Sequence, residues 1–169
     1  MNNFTKLAAA FMSAAFLTIA PAHARIEAET GALLDLMEDN GISVTINSDA
    51  CDGSIHGNYT FVGMRRQLNL CPGQEVDAID HLTVRHEAIH ALQHCVNVIR
   101  RTPLNSPIQE DQDKLIELIN ETVPADVVTW IKTAYPQNQW WVEFEAQALS
   151  LALTSSEIME LFSRVCTAK

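Results

Sequence analysis

Five consecutive residues, His86-Glu87-Ala88-Ile89-His90, constrain this chain more than any others. The string reads H-E-x-x-H, and it has chemical meaning only on a helix. There, residues four apart share a face, so His86 and His90 can offer two imidazole nitrogens to one cation. Glu87 projects about 100° round from His86, near enough to reach a metal-activated water without ligating the ion. The surrounding pattern supports a helix from about Asp77 to Ile99. Ala88, Ile89, Leu92, Cys95, Val96 and Ile99 fall on one side, and His86, Glu87, His90 and His94 on the other. The histidines therefore occupy one distinct polar face opposite an apolar one.

The N-terminus carries the marks of an export signal. A short polar start with Lys6 is followed by an apolar run from Leu7 to Ala20. Pro21 and the small-residue triplet Ala22-His23-Ala24 then suggest cleavage after Ala24. Residues 1–24 are expected to be a signal peptide and 25–169 one domain, long enough to bury a core. The apolar run is short for a membrane span, and no later segment is long and apolar enough for one. With Lys6 gone, ten basic residues face twenty-one acidic ones, a net charge near −11. That balance argues against nucleic acid and anionic membrane as partners.

All four cysteines lie beyond the leader. An even number in an exported chain suggests two disulfides, and the preferred pairs are Cys51 with Cys71 and Cys95 with Cys166. No C-x-x-C spacing favours a cysteine metal site.

Residues 25–39 read as a helix stopped by Asn40-Gly41, and Ile42 to Ile46 alternates as a strand. Residues 47–57 read as a loop, and 59–70 as one or two further strands before Cys71-Pro72-Gly73. The remainder is helical: Asp111 to Asn120, a helix opened by Pro124, Gln137 to Thr154, and a last one from Ser155 to near Cys166.

Catalytic zinc usually takes three protein ligands and keeps one open position. The third ligand is sought in Trp140-Trp141-Val142-Glu143-Phe144-Glu145-Ala146-Gln147-Ala148, where carboxylates stand in an otherwise apolar helix. Buried charge is costly unless it is paired or metal-bound. Glu143 and Glu145 lie about 200° apart, so only one should face the metal.

An H-E-x-x-H helix followed by a helix bearing E-x-x-A-[D/N] resembles the gluzincin-type zinc metallopeptidases, particularly the compact minigluzincins. It also resembles the ImmA/IrrE group and the CAAX-processing peptidases. The likeness covers about two helices, roughly a quarter of the chain after the leader. It implies an α+β, mostly helical zincin-like domain with a small N-terminal antiparallel sheet. It implies Zn2+ held by His86, His90 and Glu143, with Glu145 as the other candidate, and Glu87 as general base. The family's Asp or Asn position is Gln147 here, a departure that still permits a hydrogen bond to a ligating histidine. An edge strand within 59–70 would line the cleft and pair with an extended peptide or protein substrate. His94, Tyr135 and His81 are the donors considered for a developing oxyanion. The expected function is a small exported metallopeptidase, secreted or periplasmic. The alternative is an exported zinc-binding or disulfide-stapled interaction domain without catalysis.

Overall fold

The computed structural model describes residues 22–46, 56–63, 65–71 and 81–166. Ala22–Asp39 forms α1, followed by β1 (Ile42–Ile46), β2 (Gly57–Val62) and β3 (Arg65–Leu70). Five helices follow: α2 (His81–Arg100), α3 (Gln112–Thr122), α4 (Ala125–Ala134), α5 (Trp140–Ala152) and α6 (Ser155–Val165). A single 3₁₀ turn at Gln137–Gln139 leads into α5. The α+β expectation holds. Most of the expected leader and the loop around Cys51 lie outside the described residues. Among the described helices, none is long and apolar enough to cross a membrane.

The sheet corrects the sequence reading: it is mixed rather than antiparallel. β2 and β3 form an antiparallel hairpin turning at Gly63, whose positive φ of 62° suits a residue without a β-carbon. β1 pairs with β3 in parallel, Ile42 opposite Arg66 and Ile46 opposite Leu70, giving the order β1-β3-β2. Alternation in residues 42–46 specifies a strand but not its partner or direction. The middle place goes to β3, where Leu68, Asn69 and Leu70 are all buried. β2, more open and carrying polar residues, is left at the edge.

Two apolar clusters share α5. The larger joins Leu33 and Met37 of α1, Leu68 and Leu70 of β3, the inner face of α2, Ala146 of α5, and Ile158 and Phe162 of α6. The smaller joins Leu115, Ile119, Ile131, Phe144 and Ala148. Residues Val142 to Ala146 are consequently all buried, which fixes the rotation of α5 about its own axis. Thr154 and Glu157 form a reciprocal capping box at the start of α6. Cys95 and Cys166 are bridged as expected, fastening the end of α6 to α2. Cys71 is disulfide-bonded, and its expected partner Cys51 lies outside the described residues.

Candidate metal centre

The site forms where α2 crosses α5, with β2 closing one side. On α2 the four-residue spacing brings the rings of His86 and His90 together edge to face, centroids 4.7 Å apart. The core packing of Ala146 and Phe144 turns Glu143 toward them. Glu143 Oε2 lies 3.4 Å from His86 Nε2 and 3.4 Å from His90 Nε2, and the two nitrogens are 3.1 Å apart. His86, His90 and Glu143 are thus a group that could hold a metal ion.

The spacing of these atoms tests the fit. Tetrahedral ligands about 2.05 Å from a zinc ion lie about 3.3 Å from one another. The three observed edges match one face of such a tetrahedron, with two nitrogens and one oxygen at its corners. A carboxylate 8% exposed and faced by two imidazoles is also a charge that invites a cation.

Electrostatics follow from that crowding. Burial opposes charge on His90, but the hydrogen bond and charge of Glu143, helped by Glu87 and Gln93, lift its pKa to about 9. Burial likewise opposes charge on Glu143, but the hydrogen bonds from His86 and His90 hold it down at about 2. In the metal-free state the pair therefore traps a proton where a metal would sit.

Glu87 is buried beside the group. Its Oε2 accepts the backbone N–H of Tyr59 at 2.7 Å, and Oε1 makes no hydrogen bond among the described residues. Gly57 lets the strand come this close: a β-carbon there would stand 2.7 Å from Thr83 Cγ2 and 3.0 Å from Glu87 Cγ. Glu87, His90 and Glu143 open onto a cavity of about 450 Å³, whose walls include Tyr59 and Phe61 of β2, His94, Leu104 and Tyr135.

The remaining candidates separate. Tyr135 reaches the site and lines the same cavity as Glu143. Burial first, then the charges of Glu143 and Glu87, push its phenol above the ordinary range, so it stays protonated. The indole of Trp140 donates to the Tyr135 carbonyl at 2.8 Å, holding that corner. His94 lines the cavity, 3.3 Å from the Tyr59 hydroxyl and stacked edge-on against Phe61. Burial and then Arg66 lower its pKa below the ordinary histidine value, favouring the neutral ring. His81 instead bonds Thr30 on α1, away from the cavity.

Among the described residues, Gln147 hydrogen-bonds neither imidazole, and His86 Nδ1 is buried without a partner. The glutamine that bonds a histidine is Gln93, whose Oε1 lies 2.8 Å from His90 Nδ1. Glu145, the other candidate ligand, is 1% exposed and faces away, accepting from Gln93 and from the amides of Ile108 and Gln109. The sequence signal for Gln93 was slight: a polar residue three positions after His90, on the same helical face. No family model, curated protein or solved structure matches the chain.

Proposed function

We propose that this chain is a small exported zinc metallopeptidase. The observation that supports this reading most is the convergence of His86 Nε2, His90 Nε2 and Glu143 Oε2 to within 3.4 Å of one another, beside a carboxylate that is not part of the group. Two imidazoles and one carboxylate suit zinc by ligand type and number. Bound there, zinc would supply a Lewis acid and make water acidic enough to deprotonate near neutral pH.

The chain's own groups divide the remaining work. Glu87 is anchored through Oε2 by the Tyr59 amide, which leaves Oε1 to take a proton from the attacking water and pass it to the leaving amine. Tyr135, protonated and at the cavity wall, is the donor best placed to meet negative charge growing on the substrate carbonyl oxygen. His94 is the second donor.

β2 supports a peptide as the substrate. The pairing of Val62 with Arg65 across a two-residue turn directs the backbone groups of Thr60 and Asn58 toward β3. Those of Tyr59 and Phe61 then point to the open edge. Glu87 occupies the Tyr59 N–H, leaving the Tyr59 carbonyl and the Phe61 amide and carbonyl for an extended chain. The Cys95–Cys166 bridge fits the oxidising compartment that export would provide.

The test is Glu87→Gln, assayed for zinc content and for cleavage of a peptide library. Zinc should stay near one per chain while turnover falls about 10²- to 10⁴-fold. Undiminished cleavage by the variant would refute the assignment. A wild type that binds zinc and cleaves nothing would leave the non-catalytic zinc domain as the reading.

A further inference from the structure

Gln93 is a buried amide whose orientation is not a free choice. Its Nε2 lies 3.0 Å from the Val142 carbonyl and 2.9 Å from Glu145 Oε2. Both are acceptors, so the NH₂ group must face them and Oε1 must face His90. Since Oε1 can only accept, His90 Nδ1 at 2.8 Å must carry a proton. With Nδ1 protonated, the proton that a metal would displace is the one on Nε2, and its loss frees the Nε2 lone pair toward Glu143 and His86, as ligation through Nε2 requires.

The same carboxylate that orients Gln93 also holds a wall of the cavity. Glu145 Oε2 accepts from the Ile108 amide at 2.6 Å, and Oε1 from the Gln109 amide at 2.7 Å. The segment before them is tied by Asn97, which donates to the Ser106 carbonyl at 2.7 Å and accepts from Thr102. Leu104 and Asn105 of this segment line the cavity. One chain of hydrogen bonds therefore runs from the wall through Glu145 and Gln93 to His90.

We propose that Gln93 and Glu145 are positioning residues that hold His90 in the Nδ1-protonated form and tie that setting to the 104–109 wall of the cleft. The proposal rests on the metal-site reading, and it explains why the second glutamate of α5 is buried yet is not a ligand. Glu145 acts at a distance: it touches Gln93 and the wall, never the imidazole.

Zinc affinity by chelator competition and NMR of protein with ¹⁵N-labelled histidine test it together. Zinc-loaded wild type should show a hydrogen-bonded, slowly exchanging His90 Nδ1 proton. Gln93→Met should lose that resonance and bind zinc about ten- to a hundredfold more weakly. Glu145→Gln should shift the resonance without contacting the ring and should speed exchange of the Ile108 and Gln109 amides. Wild-type affinity in a folded Gln93→Met protein, or an unmoved His90 resonance in Glu145→Gln, would overturn the proposal. Should both variants fail to fold, a rapidly exchanging His90 Nδ1 proton in zinc-loaded wild type would overturn it, and a protected one would uphold it. A wild type that takes up no zinc would instead remove the metal reading. The relay would then be judged on the Ile108 and Gln109 amides of the metal-free protein, protected if it exists and unprotected if it does not.

Discussion

Gly57 lies so close to Glu87 that a β-carbon on it would stand 3.0 Å from Glu87 Cγ and 3.2 Å from Oε1. Edge strand and motif helix therefore meet at a point with no room for a side chain. The Tyr59 amide, two residues on, can then reach Glu87 Oε2. Gly57→Ala should push Glu87 or the strand aside. Overpacking of this kind costs about 1–3 kcal/mol of stability. Misplacing a reacting group by about 1 Å can cost as much as 10²-fold in rate. Peptide turnover should fall at least about tenfold while zinc content stays at wild-type level, since His86, His90 and Glu143 are untouched. Steady-state kinetics beside metal analysis checks this, and full activity would show that the close approach is dispensable.

Metal-free stability should depend on pH in a defined window. His90 is raised to about 9 from an ordinary 6.5, so its contribution is complete below 6.5 and gone once pH passes about 9. Glu143 is depressed to about 2 from 4.5, so its contribution is complete above 4.5 and lost as pH falls toward 2. Thermal melts of chelator-treated protein should peak between those ordinary values, 4.5 and 6.5. Glu143→Gln should flatten both limbs. A melting temperature that keeps rising from pH 7 to 9 would contradict the arrangement.

Zinc must displace the proton that His90 holds. From pH 7 toward 9, uptake should release about one proton, and apparent affinity should rise about tenfold per pH unit. Calorimetry in buffers of different ionisation enthalpy measures the released proton directly. A pH-independent affinity across that range would mean that His90 is not charged in the metal-free state.

The Cys95–Cys166 bridge closes a loop of 71 residues. Restricting the unfolded chain over that length is worth about 4 kcal/mol in the chain-entropy account. Replacing both cysteines with serine should lower the denaturation midpoint accordingly, measured by urea or guanidinium titration. A loss below about 1 kcal/mol would show that the packing of α6 against α2, through Ile158 and Phe162, suffices to hold the C-terminus.

How much was legible in the sequence depended on range. The helix carrying His86 and His90, the stop at Asn40-Gly41, the strand Ile42–Ile46 and the α6 region all rest on contacts within a few residues. So does the separation of polar and apolar faces on α2. Strand direction was not legible, because β1 meets β3 across more than twenty residues. Gln93 was missed for a related reason: a glutamine on a helix looks solvated until its partners, Val142 and Glu145, arrive from α5.

The sequence by itself determined that two imidazoles share a helical face with a carboxylate between them, because 3.6 residues per turn is a property of the local backbone. It also narrowed the third group to Glu143 or Glu145. Only the tertiary structure decided between them. Which glutamate meets the histidines depends on how α5 is rotated against α2, and that rotation is set by Ala146 entering one core while Phe144 and Ala148 enter the other. Burial of apolar surface on both sides of one helix is a long-range energy that no stretch of sequence contains alone.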